Sequence, residues 1–214
     1  MTAAEMKSQF LAQYDAATSL AGPGWEDDEI SSFLNKAQKD MVVELFNKRI
    51  LDLISNLIVT EQISLTNSVT ITNAVISSLD LTNVNSHEFL YYISSTTQIT
   101  RTSPTVTAGY VSNELIDVKD SLKFHKTDMN KVWYKYPKCY MEYISGASAV
   151  LVILYDSYTN APTNGRLRFV KAPVEIDISG GIDTDLNPVL HQEIVTKAVD
   201  EAVKSIKIAK ISNQ

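Results

Sequence analysis

Hydrophobic side chains keep two different rhythms along this chain. From Trp25 to Arg49, Ile30, Phe33, Leu34, Ala37, Met41 and Leu45 recur at three- and four-residue steps, and Val42 and Phe46 widen the stripe. A helix turns about every 3.6 residues, so this spacing puts them on one face of an amphipathic rod roughly 35 Å long. Glu26, Asp27, Asp28 and Glu29 lie where the positive end of the helix dipole favours carboxylates, and Lys48 and Arg49 complement the other end. A narrower stripe of Met6, Phe10, Tyr14 and Ala17 predicts a first helix over residues 2–19. Gly22, Pro23 and Gly24 stop it and permit a reversal, so the first two helices are expected to form an antiparallel hairpin. Ile50, Leu51, Leu53, Ile54, Leu57 and Ile58 extend the helical pattern, as a continuation or a second short helix to about Leu57.

The second rhythm begins at Val59. Through Ser86 the residues are mostly Thr, Ser, Asn, Val, Ile and Leu, with Ile63, Leu65, Val69, Ile71, Leu79 and Leu81 alternating locally, which is strand chemistry. Leu65-Thr66-Asn67, Ile71-Thr72-Asn73 and Leu81-Thr82-Asn83 come at unequal spacing, so turns ending short strands explain them better than a solenoid. Residues 87–101 predict a strand pair or one long bent strand, residues 106–116 another strand, and residues 117–127 a short helix. The segments KCYMEYIS and AVLVILYDSY predict two strands joined across Gly146, and the apolar run Ala149–Leu154 fits the buried centre of a sheet. Arg166–Val170 predicts a last strand, closed by Ala172-Pro173.

Helical rhythm then returns. Asn187 as N-cap and Pro188 at the first helical position start a helix whose Ile194, Val195, Ala198, Val199, Ala202, Val203 and Ile206 form an apolar face. Such a face needs a partner, so the predicted class is α+β: an N-terminal helical hairpin and a C-terminal helix form a helical bundle, with a β-rich insertion domain between them. The expected division is residues 1–58, 59–174 and 175–214.

Composition narrows the function classes. A net charge of -6 argues against general affinity for nucleic acid phosphates, although Lys204, Lys207 and Lys210 make a local basic group suited to a helix C-terminus. Cys139 is the single cysteine, so neither an intrachain disulfide nor a cysteine-cluster metal site is expected. With no apolar stretch of about 18 residues and no secretory pattern at the start, the expectation is synthesis in the cytosol.

Each candidate for chemistry has a plainer reading. His87, His125 and His191 are scattered and lack a paired ligand at helical or strand spacing. Asp177, Asp183 and Asp185 could hold a hard cation, but the last two precede an Asn-Pro helix start, where acidic residues serve capping and the dipole. Glu26–Glu29 is likewise a helix start before it is an acid–base pair. Gly22-Pro23-Gly24 lacks the surroundings of a phosphate loop, and no serine sits in a nucleophile elbow. Cys139 beside Lys138 could be an activated thiol, but a small buried group in a strand is preferred. Trp133, Tyr134, Tyr136, Tyr140 and Tyr143 lack a neighbouring basic stripe and fit core packing or an interface better than base stacking. No catalytic, cofactor-binding or metal-binding residue is assigned, and no enzyme activity or cofactor is expected.

Several segments carry a family resemblance. Tyr14-Asp15, Gly22-Pro23-Gly24-Trp25, Glu29-Ile30-Ser31, Leu34-Asn35-Lys36-Ala37-Gln38, Lys48-Arg49, Leu53-Ile54 and Leu57-Ile58 resemble virion proteins of crAss-like tailed bacteriophages. So do Arg168-Phe169-Val170-Lys171-Ala172-Pro173, Leu186-Asn187-Pro188, Leu190-His191 and Glu193-Ile194-Val195. Residues 63–86 depart from the pattern. The resemblance implies a head-to-tail connector or ring component of a short-tailed phage, similar to tail tubular and adaptor proteins. It implies a homo-oligomeric ring, expected to be a dodecamer, in the virion neck or tail. The implied neighbours are the portal protein and other connector rings, with DNA passing through the channel without sequence-specific binding and no membrane involved. An acidic balance suits a wall over which DNA slides. The competing expectations are a small metal-binding α+β enzyme using Asp177, Asp183 and Asp185, and a glycan-binding module using the Tyr-rich region.

Overall fold

The computed structural model describes every residue except 20–21, 72–73, 82, 103–104, 127–131, 134, 145–147, 157–163 and 213–214. Side chains of 66–71, 74–78, 83, 101–102, 105–108, 122, 125–126, 143–144, 148 and 207–212 also lie outside the described set. The protein is mixed α+β with two sheets, and its chain divides into two compact units. One comprises Met1–Leu57 with Ala172–Gln214, the other Ile58–Lys171. Residues 172–174, grouped with the strands by sequence, thus fall in the helical unit, where the carbonyl of Val174 accepts from Gln38 Nε2 at 2.9 Å.

In the helical unit, α1 spans Ala3–Thr18 and α2 spans Asp27–Asn47. Thr2 caps α1 reciprocally with Glu5, so two otherwise orphaned amides are satisfied. At the start of α2, Glu29 Oε2 accepts from the Glu26 amide at 3.0 Å, and Asp27 pairs with Lys7 at 2.6 Å. The far end of α2 differs from the sequence reading. Arg49 adopts a left-handed φ of 59° rather than extending the last helical turn. Its amide bonds to the carbonyl of Phe46, and the Ile50 amide to that of Leu45, the double closure that usually takes glycine. A 3-10 segment, Leu51–Leu57, follows and is broken at Ile54, so the expected short helix is present in its tighter form.

An irregular strap over residues 172–187 leads through a 3-10 turn at Pro188–Leu190 into α4, His191–Ser212. Asn187 caps that turn through Val189 N at 3.1 Å, so α4 itself starts after it. Met6, Phe10, Ile30, Leu34, Met41, Val42, Ile194, Val195 and Ala198 are almost wholly buried. At about 1.5–3 kcal/mol per large apolar side chain, offset by conformational entropy, they dominate the attraction within this unit. α4 packs along both α1 and α2. The two N-terminal helices touch far less: Phe10 stacks on Phe33 (6.2 Å), and Trp25 of the connector packs against Tyr14 and Phe33 (6.0 and 5.1 Å).

In the strand unit, the first sheet joins β1 (Ile58–Ser64), β10 (Asn164–Lys171) and the long β5 (His87–Thr102), which also pairs with β4 (Asn83–Val84) and β6 (Thr105–Ser112). The second has the order β2 (Thr66–Ile71), β3 (Ala74–Asp80), β9 (Ser148–Tyr155), β8 (Lys138–Ile144), β7 (Glu114–Leu115). Every pairing is antiparallel except β7 with β8. Residues 87–102 are one long strand, with register shifts against β10. β4 and β5 meet through Asn85 and Ser86, both at positive φ (50° and 71°), as a two-residue hairpin turn requires.

One buried cluster draws Ile63, Tyr92, Ile99, Leu167 and Phe169 from the first sheet and Cys139, Leu151, Ile153 and Tyr155 from the second. Alternate residues of β9, Val150, Val152 and Leu154, lie in another cluster with Val132 and Tyr140, covered by Ile116 and by Phe124 of α3 (Val118–Lys126). β9 is therefore apolar at every position from Ala149 to Leu154 because both of its faces are covered. The Leu-Thr-Asn triplets begin at strand ends: Leu65 joins β1 to β2, Ile71 ends β2 and Leu81 follows β3. Thr72, Asn73 and Thr82 lie outside the described residues, as does the junction across Gly146.

Candidate functional site

The most developed polar constellation lies on α2. Ser31, Asn35 and Gln38 share a helix face and are half-buried to fully buried. They bind the backbone of the strap as a neighbouring strand would. Asn35 Oδ1 accepts from Ile176 N at 2.7 Å, and its Nδ2 donates to Ile176 O at 2.9 Å. Ser31 Oγ accepts from Ile178 N at 3.1 Å, while Gln38 Nε2 donates to Val174 O and to Asn35 Oδ1. Thr184 Oγ1 completes the set by donating to Gln38 Oε1 at 3.0 Å. Apart from a single backbone bridge between Asp177 and Ile182, the strap has no ladder for its peptide groups, so these side chains supply what secondary structure does elsewhere. Gln38 interrupts the apolar stripe between Leu34 and Met41, which was the available sequence signal.

Beside this ladder lies an open groove of about 820 Å³, lined by Asp28, Ser32, Lys36, Lys39, Asp40 and Ile182, among others. Its lysines are engaged: Lys39 with Glu175 at 3.0 Å and Lys36 with Glu201 at 2.7 Å. The Lys36 hydrogen bond, with one from Lys204, holds the Glu201 carboxyl below its usual range. Chemically, this arrangement grips a peptide backbone and balances charge.

The three candidate aspartates are parted among separate duties. Asp183 Oδ1 accepts from Ala3 N at 2.5 Å, Asp177 Oδ1 from Gly180 N at 2.8 Å, and Asp185 Oδ1 from Val174 N at 3.0 Å. Among the described residues, no group of three or more His, Cys, Asp or Glu side chains gathers in a metal-holding arrangement. His191 is buried, with Nε2 at 3.0 Å from Leu186 O and Nδ1 at 2.8 Å from the Met1 amino group. His87 sits 3.7 Å from Glu61. The His125 side chain lies outside the described residues.

Within the strand unit, Cys139 joins a buried polar network. Tyr92 Oη lies 2.9 Å from Ser95 Oγ and 3.4 Å from Cys139 Sγ, Asn113 Nδ2 donates to Ser95 Oγ at 2.8 Å, and Thr97 Oγ1 donates to Asn113 Oδ1 at 3.0 Å. Burial pushes the Tyr92 phenol and the Cys139 thiol above their ordinary pKa values, which keeps both neutral and the thiol poorly nucleophilic. The aromatic group is split. Tyr140 is buried, whereas Trp133 and Tyr136 are 49% and 59% exposed with their rings 5.4 Å apart. Tyr134 and the Tyr143 side chain lie outside the described residues, as do the side chains of Lys207 and Lys210, while Lys204 pairs with Glu201 at 3.1 Å.

Comparison with models of known protein families gave no match, and comparison with curated protein sequences gave none either. No helix among the described residues is long and apolar enough to cross a membrane.

Proposed function

We propose that this chain is a structural ring subunit in the head-to-tail connector of a short-tailed, crAss-like phage, placed below the portal and around the DNA channel. In this reading α1, α2 and α4 are a three-helix bundle, and the strand unit is a domain inserted in the sequence between α2 and α4. The observation that carries the reading is the fastening of the two ends. The strap is tied to α2 by Ser31, Asn35 and Gln38, and α4 is tied to it by Lys197–Glu44 and Lys36–Glu201. A subunit that must transmit force between head and tail needs both ends held in one stiff body. Exposed apolar side chains on the helical unit, Val189 at 74% and Ile182 at 46%, give neighbouring copies something to bury. The fastening motifs are also among the segments that carry the resemblance. The test is mass photometry and negative-stain microscopy of the purified protein, alone and mixed with the portal. A closed ring, dodecameric in the expected form, supports the proposal. A single chain under both conditions, with no labelling of the virion neck by antibody, overturns it.

A further inference from the structure

The outer face of the first sheet is a basic island on an acidic chain. Cross-strand partners share a face, so the register places Thr60, Arg168 and Ser94 in one row and Gln62, Arg166, Thr96 and Ser112 in the next. Gln98 and Tyr110 continue it. Arg166 and Arg168 are exposed between inward-facing Leu167 and Phe169, which are buried. These rows contain no carboxylate, and among the described residues neither arginine has an ion-pair partner. The Arg166 guanidinium lies 4.3 Å from the centre of the Tyr110 ring.

We propose that this face binds the sugar–phosphate backbone of a nucleic acid strand, independently of sequence. Charge complementarity selects the partner: two unpaired guanidiniums stand among neutral hydroxyls and amides, each able to take a phosphate in bidentate fashion. The exposed hydroxyl and amide side chains around them, Thr60, Gln62, Ser94, Gln98 and Ser112, hydrogen-bond sugar and phosphate oxygens. Tyr110 offers a ring on which a base stacks, its cation already in place. A protein partner is the poorer fit, because such interfaces have an apolar centre, and Tyr110 is the only large hydrophobic side chain exposed on these rows. The net charge of -6 for the whole chain opposes binding over the surface at large, so the attraction must come from a local group of cations such as these two arginines. The inference does not depend on ring assembly.

The test is fluorescence anisotropy of a labelled oligothymidylate of about 20 nucleotides with the full chain near 50 mM salt. Two phosphate contacts predict a log–log salt slope of about -1.4 per copy. Arg166→Glu with Arg168→Glu should weaken binding more than tenfold and flatten that slope, whereas Arg166→Lys with Arg168→Lys should retain most of both. Tyr110→Ala should weaken binding at least fivefold with the slope intact. Circular dichroism melts matching the parent protein establish that these surface variants are folded. The inference is overturned if the parent does not bind at low salt, if the double Glu variant binds equally well, or if polyglutamate of matched charge competes as strongly as unlabelled oligonucleotide.

Discussion

The two units solve the same problem, satisfying buried peptide groups, by opposite means. In the strand unit the ladders pair the backbone, and side chains are left to pack, as along β9, where every residue from Val150 to Tyr155 is buried. In the helical unit the strap has only the Asp177–Ile182 bridge, so Ser31, Asn35 and Gln38 spend their polar groups on its amides and carbonyls. The difference teaches where each unit is vulnerable. A polar substitution along β9 does its harm through lost packing, whereas an apolar one at the α2 side chains that hold the strap does so through abandoned hydrogen bonds.

The largest expected effect comes from Ile194→Asp. This side chain is fully buried in α4, so an uncompensated carboxylate there should cost about 4 kcal/mol or more and abolish the cooperative melting of the helical unit. Denaturant titration followed by circular dichroism checks it, and an unchanged midpoint would remove α4 from the core. Asn35→Ala leaves both polar groups of Ile176 without their partner and should cost about 2–3 kcal/mol. Hydrogen exchange at the Ile176 amide should accelerate while that of Ile153 stays protected; equal acceleration at both would blur the contrast between the units. Its counterpart in the strands is Asn113→Ala, which strips partners from Ser95 and Thr97 for about 2 kcal/mol. Cys139 should then react faster with a thiol reagent, a change the Asn35 variant should not produce.

Smaller effects test the ends of the elements. Hydrogen bonds from Lys197 and Lys48 hold the Glu44 carboxyl down to about 2, against an ordinary 4.5. A folded pKa below the unfolded one means stability that is present above pH 4.5 and lost as the pH falls toward 2. Glu44→Gln should therefore flatten the melting temperature against pH within that window, and an identical profile would show the pairing to be idle. The smallest changes are stabilising: Arg49→Gly in the helical unit and Ser86→Gly in the strand unit relieve left-handed φ at about 1 kcal/mol each. Raised melting temperatures check both.

Much of this fold was legible. Helical spacing located α1, α2 and α4, and the unbroken apolar run of β9 gave its place at a sheet centre. The strap was not legible beyond the Asp177–Ile182 turn, since it has no periodicity and its partners on α2 lie about 140 positions away in sequence. Arg49 was read as a dipole partner because its sign fits, whereas the backbone closure at Phe46 and Leu45 decides its conformation. The aspartates looked like a cluster because they are neighbours in sequence. In space each one answers a different amide.

Sequence by itself determined which stretches become helix or strand, because periodicity and capping act over a few residues and need no distant partner. Tertiary structure decided which polar groups are spent inside the protein and which remain for others. Gln38 and Arg168 are both polar residues amid hydrophobic ones, yet one is wholly buried against a carbonyl and the other stands exposed on a sheet. The physical reason is that burial is a property of what packs over a residue, and no local pattern contains that neighbour.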